Sequence, residues 1–339
     1  MIDLLPWQRA PLDALIARGD KLPHALLVHG RDGIGKVEFA RALAQSLLCE
    51  APQEGVACGT CPACGWFTEG NHPDYREIHP EALDEEETGD EAPVDADSKD
   101  KKKSREIKIS QIRAVADFMT LSTHRDGYRV LLIHPAESMN AAAANALLKT
   151  LEEPPPRSVI VLVTDQLGRL LATIRSRCQK VLLPAPDEAT AVAWLTERGV
   201  KNPAAALAAA GGGPLSALTY ADPEYQTARA NFISALADPN LDFSFAAQNF
   251  EKHDLSDVLG WLHAWTFDLI SSRMLGRVNF YREHANALER MVRHASLPNL
   301  FRYETELRQT RRLINHPLNA RLLIEQLLIG YKQAIKPTQ

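Results

Sequence analysis

The sequence predicts an α/β protein in which a domain built on a parallel β-sheet is followed by helices to the C-terminal end. Three observations carry that reading. Ser158–Thr164 (SVIVLVT) is a short, β-branched, almost continuously apolar run, the composition of a strand covered on both faces. Ala25–His29 (ALLVH) is a similar run, and it feeds a glycine-rich loop, Gly30–Val37, that opens a helical stretch. From about Pro223 onward apolar residues recur at helical spacing, as in Leu255, Leu259, Leu262, Trp265 and Leu269.

A chain of 339 residues has room for two or three domains, each large enough to bury a core. Hydrophobic content of 45% and charged content of 24% belong to an ordinary globular protein. A net charge of −5 argues against a protein that grips nucleic acid through overall positive charge and leaves only a local basic patch. The opening residues lack the basic start and long apolar core of a secretory signal, and no 18-residue apolar span follows, so a cytoplasmic protein with no membrane partner is expected. Three of the five cysteines fall between Cys58 and Cys64, which in a reducing compartment points to metal binding rather than disulfides.

In chain order, Trp7–Ile16 has helical spacing, and the strand Ala25–His29 comes next. The loop after it fits the phosphate-binding pattern of Gly, four residues, Gly, Lys, then Ser or Thr at Gly30, Gly35 and Lys36. It departs at the last position, where Val37 has no hydroxyl to place on Mg²⁺. Two readings stay open: Lys36 still holds phosphate, or the loop survives as architecture alone. Glu38–Leu48 is the helix behind it. Cys49, Cys58, Cys61 and Cys64 supply four thiolates, enough to close a tetrahedral Zn²⁺ shell with no open position, hence a structural site. The CxxCxxC run alone also suits other metals, iron–sulfur clusters included, and free thiols are the plainer alternative. His72 lies near enough to be a ligand, but with four cysteines present a local hydrogen-bonding role is expected.

Tyr75–Ile78 reads as a strand. Glu81–Glu106 is acidic, then basic, and free of aromatics; it is read as a disordered insertion, with a partner-binding tail as the alternative. Order resumes with a helix for which Ser110 is the candidate cap and Ile112, Val115, Ala116 and Met119 the buried face. Tyr128–Ile133 is the next buried strand, and His134-Pro135 follows it. Ala144, Leu147, Leu148 and Leu151 mark one face of a helix that Pro154–Pro156 stop. After Ser158–Thr164 and a short helical piece come Ser176, Arg177 and Cys178, the last read as a small buried hydrophobe. Lys180–Leu183 is the expected last strand. Pro184–Pro186 make a hinge, and a helix runs from Asp187 to Arg198 with Gly199 as its stop. An Ala-rich helix and the turn Gly211–Pro214 follow. Leu313, Leu318, Leu322, Ile324, Leu327 and Leu328 belong to a final helical region of mostly core character, and His253, His263 and His294 have no metal-ligand spacing.

Taken alone, Arg177 would be a surface charge. The whole run Asn145–Cys178 (NALLKTLEEPPPRSVIVLVTDQLGRLLATIRSRC), however, closely resembles the corresponding segment of clamp-loader ATPases of the AAA+ class. With the phosphate loop, the cysteine module, the strand before His134, the Gly211–Leu218 turn and the helical tail, the resemblance covers nearly the whole chain. It implies an AAA+ RecA-like domain over 1–184 with its zinc module at 49–64, a small helical lid over 185–222 and a helical collar over 223–339. It also implies a role for Arg177: reaching across a subunit boundary to the nucleotide of a neighbour. In active members the strand before His134 ends in Asp-Glu, and the lid carries an arginine that senses the γ-phosphate. Here those positions read His134 and Pro135, and Pro214, Leu215 or Ser216.

Together with Val37, these losses imply a subunit that binds ATP weakly or not at all and does not hydrolyse it. The expected function is that of a non-hydrolysing member of the DNA polymerase III clamp loader, working beside gamma/tau and delta subunits in a heteropentamer. Through that complex it would act on the sliding clamp and primed DNA. Two alternatives stand beside it. One is an active clamp-loader ATPase using Lys36 with an unconventional metal site. The other is a zinc-containing DNA-binding adaptor using Cys49–Cys64 and the basic cluster at Lys101.

Overall fold

A computed structural model describes residues 4–83, 104–120, 127–238, 240–293, 295–313 and 319–336. It divides into two compact units, 1–218 and 219–339, with the division inside one helix, Pro214–Ala221.

The first unit is organised by five parallel strands, β1 (Ala25–His29), β2 (Tyr75–Ile78), β3 (Arg129–Ile133), β4 (Ser158–Thr164) and β5 (Gln179–Leu182), in the order β2-β3-β4-β1-β5. Alternation along each strand sends side chains to opposite faces. Ala25, Leu27, Leu131, Ile133, Ile160 and Leu162 join a core beneath the helices α4 (Ile109–Thr120) and α5 (Ala141–Glu152). Leu26, Val28, Val130, Leu132, Val159 and Val161 face the other way, against α1 (Arg9–Ile16), α2 (Lys36–Leu48) and α3 (Pro62–Thr68). Every residue of β3 and β4 is buried, the reason Val130–Ile133 and Val159–Val163 are apolar without alternation. The edge strand β5 is largely exposed, and it starts at Gln179, one residue before the expected Lys180; Leu183 sits just past its end, its amide on the His29 carbonyl.

Ser110 is not the cap of α4. The helix already includes Ile109, and the side-chain oxygen of Gln111 reaches back to accept the Lys108 amide at 2.8 Å, the return half of a capping box. Ile112, Val115 and Met119 are buried as the spacing requires. Most of the expected disordered insertion, 84–103, lies outside the described residues. Its two ends are ordered. Glu81–Leu83 form a helical turn, the Ala82 amide donates to the Ser104 carbonyl, and Lys108 pairs with Glu81 at 2.6 Å.

After β5, α6 being the short Ala172–Arg175, the chain enters α7 (Glu188–Glu197), α8 (Pro203–Ala209) and α9 (Pro214–Ala221). Asp187 caps α7 by accepting the Thr190 amide, and Gly199 takes the left-handed conformation (φ +78°) that ends it. Trp194 packs edge-on to Trp7.

The second unit is helical: α10 (Pro223–Ala237), α11 (Phe243–Phe250), α12 (Leu255–Leu275), α13 (Ala285–Val292), α14 (Leu297–Leu313) and α15 (Ala320–Ile335). Asp222, Asp242, Asp254 and Asn319 each cap a helix through an amide hydrogen bond. Leu259, Leu262, Trp265 and Leu269 lie in the core with Ile324, Leu327 and Leu328. Leu322 does not: it is 63% exposed, since it stands in the first turn of α15 on the side away from that stripe. The side chains of Leu313 and Leu318, and His294, lie outside the described residues. His263 meets Glu304 at 3.2 Å, a local pair and no ligand set.

Candidate functional site

The phosphate loop connects the end of β1 to α2. Gly33 (φ +70°) and Gly35 (φ +82°) hold left-handed conformations, and a Cβ on Gly35 would run into Leu5 and Gln8. The loop is braced from the N-terminal segment. Trp7 Nε1 donates to the Ile34 carbonyl at 2.9 Å, and the fully buried Gln8 donates to the carbonyls of Ile34 and Gly35 at 3.2 and 2.6 Å. From the other side the Leu215 amide donates to the Gly33 carbonyl at 2.8 Å, so the turn expected to open the lid helix closes directly on the loop.

Lys36 lies at the bottom of a cavity of about 280 Å³ whose lining includes Asp32, Glu38, His134, Pro135, Asp165 and Leu215. Its side chain is only 5% exposed, and its amine is already engaged. It donates to the Arg31 carbonyl at 2.6 Å and pairs with Asp165 Oδ1 at 2.5 Å. Asp165 directly follows β4, and its amide is held by Glu137 Oε1 at 3.1 Å. That is where Glu137 points: to the Asp165 backbone.

His134 closes the end of β3 within a polar network. Its Nε2 lies 2.6 Å from Glu77 Oε1, and Arg41 and Tyr75 also donate to Glu77, at 2.5 and 2.6 Å. Burial alone would raise the Glu77 carboxyl, but the hydrogen bonds from His134, Arg41 and Tyr75 prevail and hold it far below the usual carboxylate range. At the position where an active member of the resembled class carries a metal-orienting carboxylate, the imidazole is therefore occupied with structural work.

The four cysteines do converge. Cys49 ends α2, Cys61 caps α3, and the sulfurs of Cys49, Cys58, Cys61 and Cys64 lie within 4.8 Å of one another. The Cys49–Cys58 and Cys49–Cys61 separations are 3.5 and 3.8 Å. A tetrahedral Zn²⁺ with Zn–S bonds of about 2.3 Å sets its sulfurs ~3.8 Å apart, so the cluster could hold that ion with little movement. Three backbone amides, of Cys58, Cys61 and Cys64, donate to the sulfurs of Cys49, Cys58 and Cys61. Amide donation from Thr60 and Cys61 brings the Cys58 thiol down to about 6, whereas burial pushes Cys64 up to about 12. The module is tied to the rest of the unit: the Ala57 amide donates to Ser46 Oγ of α2, and the Phe67 ring packs at a tilt against Tyr75 of β2, with 4.5 Å between centroids. His72 Nδ1 accepts the Asp74 amide and stays out of the cluster. Cys178 is buried apart from it, which raises its thiol to about 11.

Arg177 follows α6 and does not line the cavity around Lys36. Its Nη2 pairs with Glu152 Oε1 at 2.5 Å and its Nη1 donates to the Thr173 carbonyl at 3.0 Å, while the side chain stays 36% exposed. The site residues therefore fall into three separate places: loop, cysteine cluster and surface arginine. Sequence reasoning missed Gln8, Glu77, Glu152 and Asp165. Each acts through a partner distant in the chain, and no local spacing announces it.

Comparison with known protein sequences gives a consistent result. A family model described as DNA polymerase III, delta subunit, matches residues 12–187, and one described as DNA polymerase III, delta subunit, C terminal, matches residues 223–333. The DNA polymerase III subunit delta' of Pseudomonas aeruginosa is 34% identical over 80% of this chain and 78% of its own. That of Yersinia pestis is 28% identical over 97% of this chain and 96% of its own. A solved structure of a DNA polymerase III gamma subunit-related protein from Thermotoga maritima is 18% identical, covers 97% of this chain and all of that one, and superposes with a TM-score of 0.40.

Proposed function

The chain belongs to the DNA polymerase III delta' family, and from that premise we propose that it serves in the clamp loader as a subunit without ATPase activity of its own. It would donate Arg177 to the nucleotide of a neighbouring subunit. The observation that carries this reading is the contrast between the two sites. Within its own cavity Lys36 is tied to Asp165 and Arg31, and His134 to Glu77, beside a Val37 that offers no hydroxyl to a metal. Outside that cavity stands an exposed arginine whose five-donor guanidinium keeps donors to spare after meeting Glu152, Thr173 and Ser176. A planar fork with permanent charge suits a γ-phosphate, and an arginine supplied in trans is worth about 10³–10⁵ in rate.

The cysteine cluster acts in this scheme as a structural Zn²⁺ site that fixes the far end of the phosphate-loop helix. The residues 1–184, 185–222 and 223–339 would act as AAA+ body, lid and collar, the collar meeting gamma/tau and delta subunits in a heteropentamer that places a sliding clamp on primed DNA. No helix among the described residues is long and apolar enough to cross a membrane.

Phosphate release from Mg-ATP by the isolated full chain tests the first half of the proposal. The expected result is a rate equal to the blank. Turnover by the isolated chain that disappears in Lys36→Ala would favour an active ATPase instead.

A further inference from the structure

We propose that Asp165 is a built-in anion for the phosphate loop. Its carboxylate takes the place of a nucleotide phosphate on Lys36, and its removal opens the loop to nucleoside triphosphates. The inference rests on the reading of this loop as a degenerate one.

The geometry is that of a filled anion site. A lysine ammonium has three donors, and here one goes to the Arg31 carbonyl of the loop itself and another to Asp165 Oδ1 at 2.5 Å. The carboxylate is delivered by rigid structure. β4 and β1 run parallel as neighbours, with Thr164 beside His29, so the residue that follows β4 emerges next to the start of the loop that follows β1. Thr164 is fully buried, and Glu137 holds the Asp165 amide. Asp165 itself remains 43% exposed on its side chain, at the mouth of a cavity where space remains.

Charge points the same way. Lys36 is the only Lys or Arg among the described residues lining the cavity, against the carboxylates of Asp32, Glu38 and Asp165. A polyphosphate entering would have to displace the one carboxylate in contact with the amine while facing the other two. Without Asp165 the ammonium is left buried with a free donor, which costs free energy that a phosphate oxygen recovers.

The test is equilibrium binding of ATP and of inorganic tripolyphosphate to the full chain, with and without Mg²⁺. Native protein is compared with Asp165→Asn and Asp165→Ser, and each of these with Lys36→Ala added; circular dichroism checks the folding of each. Both single variants should bind both probes about tenfold or more tighter than native protein. Lys36→Ala should abolish the gain, and the gain should not depend on Mg²⁺, because Val37 offers the ion no hydroxyl. Folded variants that bind no tighter than native protein overturn the proposal, as does a gain that survives Lys36→Ala. Loss of folding in both single variants would make Asp165 a stabilising counter-charge and overturns it as well. Phosphate release from Mg-ATP by native protein would refute the chain's inability to hydrolyse ATP and leave the comparison of Asp165 variants standing, so the two failures are distinguishable.

Discussion

Replacing Cys61 with serine puts the metal centre under direct test. Cys61 contributes a sulfur 3.8 Å from that of Cys49 and accepts the Cys64 amide at 3.4 Å as the cap of α3. A structural zinc site contributes on the order of 10 kcal/mol at neutral pH, so one of four thiolates accounts for roughly 2–4 kcal/mol. That loss reaches the rest of the unit, because the module is joined to α2 through Ser46 and Ala57 and to β2 through Phe67 and Tyr75. For a unit of 218 residues each kcal/mol moves the melting temperature by about 2–4 °C, which puts the fall at roughly 5–15 °C. Metal analysis and calorimetry on the full chain provide the assay. Native protein should hold one zinc per chain and be colourless. Cys61→Ser should hold zinc more weakly, and a chelator, which removes the whole site's contribution, should lower the native melting temperature further than the substitution does. Native protein that melts at the same temperature with and without metal would refute the reasoning, and a brown, iron-containing protein would refute the choice of ion.

Two further predictions concern stability. Glu77 has a carboxyl held below its unfolded value of about 4.3, so the stability it contributes is complete above that pH and lost as the pH falls toward the folded value. The gap in urea midpoint between native protein and Glu77→Gln should therefore shrink between about pH 5 and pH 3; a constant gap would contradict the network around His134. In the second unit the fully buried Asp268 accepts the amides of Asn279, Phe280 and Tyr281 at 2.8, 2.9 and 2.8 Å. Asp268→Ala leaves three amide donors unmet, that of Tyr281 buried and those of Asn279 and Phe280 partly so, which at about 1 kcal/mol each costs up to ~3 kcal/mol in chemical denaturation. Asp268→Asn should recover part of it, and a loss under about 1 kcal/mol for the alanine variant would show that water meets those amides.

Much of the fold was legible because its strongest signals are local. Ala25–His29 and Ser158–Thr164 are strands over those same residues, since short apolar runs bounded by breakers leave little choice of register or length, and Tyr75–Ile78, with a buried residue at each end, is a strand over its expected residues too. The cysteine cluster was legible too, because thiolates so closely spaced can hardly avoid one another on a short loop between helices. Signals failed where a neighbour in space decided the outcome. Ser110 has the chemistry of a cap, but the helix begins at Ile109, one residue before it, with Gln111 closing back on the Lys108 amide. Leu322 has the hydropathy of a core residue, but the turn of α15 carries it to the surface. For Lys36 two readings stayed open, a phosphate holder or a loop kept as architecture alone, because nothing near it in sequence is its counter-ion. Asp165 meets it only after β4 is laid beside β1.

The donation of Arg177 in trans is tested most directly by DNA- and clamp-stimulated ATP turnover in a reconstituted clamp loader. Assemblies built with native chain are compared with those built with Arg177→Ala and Arg177→Lys, after gel filtration has shown the same subunit content. The account predicts a fall in turnover of about 10³-fold or more for alanine with little rescue by lysine, because an ammonium cannot reproduce the guanidinium fork. Unchanged turnover by an intact Arg177→Ala assembly would contradict it and leave this chain a structural member of the complex.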